Sequence, residues 1–340
     1  MTPTCDPLGS AFYIYHDGPM PVQYAPEITF GSGNYFVVWG DFRSSSQIYG
    51  ARVAPSGSVL DPSGIRISRN ETQYQYYPSV TWGGTRYFVI WGTYSPSPYY
   101  VYGRFVNTDG TMASDTLRLA SASASVYSVD VAYSGTNFMV VWVEMSTDYP
   151  LKARLISNTG VPIGSSFTIA SPVYYFKSAR VVFDGINYLV TYSLYSDSVY
   201  QLWGKKYNTS GAPVGSAFRI SPSTNSIYYA DVVPGANNRY LNVWSEYVSS
   251  QYDIRGNIDI EIVSIVETKR EGISKAKMPS IIRKNIVLQE FSGKTLYLYD
   301  ASGRNISCTD NGYFDCSKLK SGVYFVRLPK SGPYKVVKIE

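Results

Sequence analysis

Short apolar runs bracketed by aromatic residues recur along the chain at nearly constant intervals. Asn34-Tyr35-Phe36-Val37-Val38-Trp39 returns as Arg86-Tyr87-Phe88-Val89-Ile90-Trp91, Asn137-Phe138-Met139-Val140-Val141-Trp142, Asn187-Tyr188-Leu189-Val190-Thr191-Tyr192 and Arg239-Tyr240-Leu241-Asn242-Val243-Trp244. Steps of 52, 51, 50 and 52 residues mark an array in which each repeat is one supersecondary unit. Within a repeat the pattern predicts four short strands, in the second copy 78–82, 87–92, 101–106 and 116–120, separated by turn residues. The turns between strands one and two and between strands three and four carry Gly in nearly every copy, as at Gly84 and Gly110, where a tight turn needs positive φ. Four antiparallel strands repeated about every 50 residues predict an all-β fold, a five-bladed β-propeller. Its blades cover residues 22–70, 75–121, 126–171, 176–222 and 228–262.

The fifth repeat has three strands and no fourth. Residues 6–14, Asp-Pro-Leu-Gly-Ser-Ala-Phe-Tyr-Ile, match the fourth strands at 161–169 and 212–220, so a strand at 8–15 is expected to complete the last blade and close the ring without an open edge. The propeller then spans 1–266. Residues 267–280 are charged, poor in apolar residues and read as a linker, and 281–340 return to strands and turns as a small β-sandwich. Cys308 and Cys316 flank Asp310-Asn311-Gly312, a turn that could set them opposite each other as a disulfide, with Cys5 left over.

Composition narrows the function classes. The net charge of +5 is spread along the 340 residues except at 269–284, which leaves no footprint for nucleic acid. No apolar run is long enough to span a bilayer. Three Cys and one His make no metal-binding spacing, and no phosphate or calcium loop occurs, so neither metal nor cofactor is expected. Thirty-three tyrosines with only 16% charged residues suit strands, and also a surface that meets sugars or partners. Residues 1–10 lack the basic start and apolar core of a signal peptide; if the protein is exported, this chain is a processed or trimmed form or has no recognisable leader.

Leu298-Tyr299-Asp300-Ala301-Ser302-Gly303-Arg304, then 319–328 and Lys335-Val336-Val337-Lys338-Ile339, resemble the C-terminal sorting module of type IX secretion substrates and the related FlgD-like Ig modules of bacterial surface proteins. The repeats, with Val37-Val38-Trp39-Gly40-Asp41 followed by Ile48-Tyr49-Gly50, are similar to those of bacterial secreted repeat proteins. The resemblance implies a secreted or cell-surface location and contact with export or anchoring machinery through 281–340.

Alternating strand direction puts the Gly turns on one face. The opposite face carries loops that differ in every blade, at 44–47, 94–100, 146–150, 195–200 and 247–253, and variable loops on a rigid scaffold are where binding concentrates. Alignment of the repeats adds two polar columns there. At strand one, lining the central channel, stand Glu27, Ser79, Asp130, Arg180 and Asp231; after the strand-two aromatic stand Asp41, Thr93, Glu144, Leu194 and Glu246. Tyrosines enter strand one in each blade. Glu27, Asp130, Arg180 and Asp231, with Tyr77, Tyr99, Tyr127, Tyr175, Tyr229 and Tyr252, form the candidate ligand-binding set.

The leading reading is a non-catalytic protein that recognises a glycan or a surface partner through this face. The alternatives are a glycoside hydrolase or lyase using two of Glu27, Asp130 and Asp231, since glycosidases work with paired carboxylates, and a self-associating subunit of an extracellular assembly. Against catalysis stands the repetition itself: carboxylates at equivalent positions pair structurally, here with Arg180 and the strand-three cations Arg52, Arg104 and Arg154, whereas an enzyme needs carboxylates in unlike environments.

Overall fold

The computed structural model describes residues 11–16, 22–43, 45–69, 73–174, 179–196, 198–221, 223–235, 240–249 and 251–258, and beyond them 281–282, 285–287, 296–300, 304–309, 313–315, 319–320, 322–327 and 333–338. The chain divides into two compact units, Met1–Ile265 and Val266–Glu340. The linker expected at 267–280 and residues 8–10 of the expected closing strand lie outside the described residues.

The first unit is all-β and built of consecutive antiparallel meanders. Sheet 1 holds β1 (Gln23–Gly31), β2 (Asn34–Asp41), β3 (Gln47–Val53) and β4 (Ile65–Arg66); sheet 2 holds β5 (Gln75–Trp82), β6 (Tyr87–Thr93), β7 (Tyr99–Val106) and β8 (Leu117–Ala122). Sheet 3 holds β9 (Val126–Tyr133), β10 (Asn137–Glu144), β11 (Leu151–Ser157) and β12 (Pro162–Ala170), and sheet 4 holds β13 (Arg180–Phe183), β14 (Tyr188–Ser196), β15 (Val199–Tyr207) and β16 (Pro213–Arg219). Among the described residues, sheet 5 holds three strands, β17 (Ile227–Pro234), β18 (Tyr240–Val248) and β19 (Gln251–Ile258). The first strands touch in succession, β1 with β5, β5 with β9, β9 with β13 and β13 with β17, which is the propeller arrangement of sheets packed face to face around their inner strands.

The recurring apolar run is the middle of each sheet. Trp39, Trp91, Trp142, Tyr192 and Trp244 are all buried, and the aliphatic residues beside them interleave with the next sheet, as Met139, Val141 and Ala153 of sheet 3 do with Val181, Val190 and Tyr192 of sheet 4. In sheets 2, 4 and 5 the tyrosine that opens the run ties the sheet to an earlier one. Tyr87 Oη donates to Gly31 O at 2.6 Å, Tyr188 Oη to Asn137 O at 2.5 Å, and Tyr240 Oη to Asp184. Gly40 is required by close approach: a Cβ there would stand 2.3 Å from Cζ of Tyr24. Replacing Tyr87 by Phe leaves the Gly31 carbonyl without this donor, and the expected loss is about 1–2 kcal/mol, read from urea unfolding; a change below about 0.3 kcal/mol would mean the bridge is dispensable.

The equivalent aromatic in sheet 1, Tyr35, is 40% exposed, and Ile28 beside it is 60% exposed. On sheet 5, Leu241, Val243 and Ile254 are exposed as well. The strand expected at 8–15 is not formed in its described part: residues 11–16 have no ladder. They act through side chains instead. Ile14 and Tyr15 pack on the core of sheet 1, with Tyr15 stacked on Trp39 at 5.8 Å and the Arg43 guanidinium 3.9 Å from the centre of the Tyr15 ring.

The second unit contains β20 (Ile281–Ile282), β21 (Asn285–Val287), β22 (Leu296–Asp300), β23 (Asn305–Thr309), β24 (Tyr313–Asp315), β25 (Gly322–Arg327) and β26 (Pro333–Lys338). They form a five-stranded sheet, β20-β26-β25-β22-β23, and a two-stranded sheet, β21-β24, with Leu296, Leu298, Phe314 and Val326 buried. Cys308 on β23 is an exposed thiol, and Cys316, with the pairing expected between the two, lies outside the described residues.

Candidate active site at the inner strands

Each described first strand except β13 kinks just before its polar position. The register shifts between Tyr24 and Glu27, Tyr76 and Ser79, and Tyr228 and Asp231, and opposite Val141–Val143 in β9. Within these bulges Ala25, Tyr77, Ser128 and Tyr229 take φ of 48° to 50°, a left-handed conformation that side chains other than Gly adopt only under tertiary constraint. A bulge adds twist and re-aims the side chain that follows, and here that side chain is the polar column.

The column meets as one network that reaches all five sheets. Arg180 Nη1 donates to Glu27 Oε1 at 3.2 Å, and its Nε lies 3.3 Å from Asp231 Oδ1 as an ion pair without hydrogen-bond alignment. Asp130 Oδ1 accepts from Ser79 Oγ at 2.7 Å, and Oδ2 from the Val181 amide at 2.8 Å. Burial works against the charge on Arg180, but Asp130, Glu27 and Asp231 more than offset it and raise its pKa.

The three carboxylates differ in environment. Burial pushes Asp130 above its ordinary value, outweighing Arg180 and its hydrogen bonds, whereas the Asp231 side chain is 61% exposed; Asp130 and Glu27 are both half-buried. Ser79 and Arg180 break the symmetry of the column, and a desolvated carboxyl beside an exposed carboxylate is the division of roles that acid–base chemistry needs. Among the described residues no group of three His, Cys, Asp or Glu could hold a metal ion.

The second column is structural. Trp39 Nε1 donates to Asp41 Oδ2 at 2.9 Å and Trp142 Nε1 to Glu144 Oε1 at 3.1 Å. Asp41 is also held by Arg43, and Glu144 by Lys152 at 2.9 Å. Burial pushes both carboxyls up, and these donors more than reverse it, holding them below the usual carboxylate range. Where Thr93 stands in the column, its hydroxyl serves Tyr100 and the Trp91 indole N–H is buried without an acceptor. Where Leu194 stands, the preceding aromatic is Tyr192. In sheet 5, Glu246 accepts from Asn225 and forms an ion pair with Arg255. Glu144→Leu strands Lys152 and the Trp142 N–H together and should cost about 2–4 kcal/mol, seen as a lower chemical-denaturation midpoint; an unchanged midpoint would contradict this role.

The pairing expected between column carboxylates and Arg52, Arg104 and Arg154 does not occur. Those side chains lie farther out and bridge neighbouring sheets: Arg52 holds Asp61 at 2.8 Å and Thr108 O, Arg104 donates to Ile67 O at 2.8 Å, and Arg154 to Leu119 O at 2.9 Å. Of the candidate tyrosines, Tyr77 and Tyr127 pack ring to ring at 5.0 Å in an inward cluster with Tyr24 and Tyr76; burial raises the hydroxyl pKa of both Tyr24 and Tyr127. Tyr229 and Tyr252 belong to a second cluster over sheets 4 and 5. Tyr99 stands apart on β7, opposite Ala122 of β8, and Tyr175 lies outside the described residues.

No protein-family model matches the chain, and no curated protein does. Solved structures do resemble it. An endo-arabinase from Bacteroides thetaiotaomicron has a TM-score of 0.46 at 10% identity, over 69% of this chain and 92% of that one. An endo-arabinanase of family GH43 from Bacillus licheniformis scores 0.40 at 14% identity, over 69% and 93%. The catalytic domain of a GH62 α-L-arabinofuranosidase from Coprinopsis cinerea scores 0.42 at 10% identity, over 69% and 90%. The reading of this chain as a non-catalytic binding protein is corrected by these findings, since the solved structures that resemble it are glycoside-cleaving enzymes.

Proposed function

We propose that the chain is a glycoside hydrolase acting at the inner ends of its sheets, with Asp130 as general acid and Asp231 as the carboxylate that activates water or attacks the sugar. The observation that carries this is the single guanidinium of Arg180 shared by Glu27 and Asp231 beside the desolvated Asp130. A carboxyl whose pKa is raised keeps its proton for the leaving oxygen, and an open carboxylate beside it serves the other face of the sugar. Glu27 is the positioning partner of Arg180 in this scheme.

Five sheets closing into a five-bladed ring, with sheet 5 against sheet 1, go with the reading; the apolar side chains exposed on sheets 1 and 5, Ile28 and Phe30 on one and Leu241, Val243 and Ile254 on the other, support that closure. The sandwich and sorting role of residues 281–340 and a secreted or cell-surface location are held with it as proposals. The test is hydrolysis by the intact chain of aryl α-L-arabinofuranosides, other aryl glycosides and arabinan, followed as released phenol or reducing ends. Cleavage that is lost in Asp231→Asn is expected. No cleavage of any of them, or cleavage equal in the variant, rejects the assignment.

A further inference from the structure

Besides the column, the same end of the sheets carries an exposed tyrosine surface that the acid–base scheme does not use. Tyr195 faces Tyr200 across β14 and β15, and Tyr247 faces Tyr252 across β18 and β19, with ring centres 5.1 and 5.0 Å apart. Tyr228 joins the two pairs, 5.8 Å from Tyr200 and 6.0 Å from Tyr252. Tyr252 is 58% and Tyr229 48% exposed, and Tyr195 and Tyr247 also stand open to solvent. The contrast with the Tyr24–Tyr76–Tyr77–Tyr127 cluster is plain: there Tyr24 is hydrogen-bonded to Ser46 and to the Gln75 carbonyl and its ring fills the space over Gly40. The sheet 4–5 cluster is a surface and the other is packing.

We infer that this tyrosine surface is a platform for several consecutive sugar units of a neutral polysaccharide, leading the chain into the carboxylate site. The inference rests on the hydrolase reading and adds the substrate class, a polymer bound along its length. Rings fixed by edge contacts with one another give up little freedom on binding, and tyrosine offers an apolar face with a hydrogen-bonding rim, the combination a sugar ring presents in complement. The platform is continuous with the centre, since Tyr229 is two residues before Asp231 and sits in the bulge that aims it. With Asp130 holding its proton, Glu27 and Asp231 around the single Arg180 guanidinium still leave an excess of negative charge at the end of the path, which repels uronate or sulfate chains and selects neutral ones.

The experiment uses the full chain carrying Asp130→Asn, so that nothing is consumed, in affinity gel electrophoresis with soluble arabinan, arabinoxylan, xyloglucan, β-1,3-galactan and polygalacturonate. Retardation by at least one neutral polymer and none by polygalacturonate is expected. Tyr247→Ala with Tyr252→Ala should weaken that binding roughly tenfold or more, whereas Tyr247→Phe with Tyr252→Phe retains it, because the ring face carries the contact. No retardation by a neutral polymer, equal binding by the Ala variant, or stronger binding of polygalacturonate overturns the platform, and so does capture of a protein in place of any glycan. Cleavage of small glycosides without polymer binding removes the platform alone; polymer binding without cleavage by the unmodified chain removes the hydrolase reading alone.

Discussion

Asp130→Asn lowers turnover of a glycoside with a poor leaving group by roughly a thousandfold, the usual contribution of a general acid, and lowers turnover of a dinitrophenyl glycoside far less. The reason is the position of the proton. A poor leaving oxygen needs it in the transition state, whereas a dinitrophenolate departs without it. The same substitution should not lower stability at pH 7. The folded-state pKa of Asp130 is raised above its unfolded value, so ionisation works against the fold at neutral pH, and a neutral Asn removes that opposition while still offering an acceptor to Val181 and a donor to Ser79. A carboxylate with a purely structural role gives the opposite pair of results, lost stability and equal loss on both substrates.

Arg180→Met produces the second large effect. It leaves Glu27, Asp130 and Asp231 facing one another without their shared cation, and the expected loss is about 2–3 kcal/mol at pH 7, reduced from a fully buried case because Asp231 is largely exposed and screened. The loss depends on pH in a definite direction. Without Arg180, Asp130 loses the cation that partly offsets its burial, so its carboxyl holds its proton more tightly still than in the unfolded chain; protonation favours folding and the deficit shrinks as pH falls through its raised pKa. Urea unfolding of both proteins at pH 7 and pH 5 reads this directly; a deficit that does not change with pH would assign the loss to packing.

Acid acts oppositely on the second column. The folded-state pKa values of Asp41, Glu144 and Glu246 are depressed. Their contribution is present above the unfolded value and is lost as pH falls through the folded one.

The sheets were legible because each side of the signal has a simple cause. Alternation and β-branched runs give the central strands, and turn glycines such as Gly57, Gly110, Gly160 and Gly211 all adopt φ between 82° and 89°, which few other residues tolerate. The outer strands were less uniform: β8 covers Leu117–Ala122, close to the expected 116–120, whereas β4 of the first sheet is only two residues long. The polar column was readable by aligning repeats. Its meaning was not, since the reach of Arg180 across to sheets 1 and 5 and the desolvation of Asp130 arise only when five bulged strands converge. Repetition therefore pointed toward a structural role, although Ser79 and Arg180 already broke the symmetry in the sequence. The pairing of Trp with an acid two residues later, at Trp39 with Asp41 and Trp142 with Glu144, was a signal available in the repeats that identifies the second column as packing.

The central claim is that Asp130 and Asp231 divide acid and base roles, and the dependence of kcat/KM on pH tests it most directly. The account predicts that the rate falls at high pH as Asp130 loses its proton, with that limb above the ordinary carboxylate pKa of about 4 and abolished in Asp130→Asn. A profile whose upper limb survives in Asp130→Asn would contradict it.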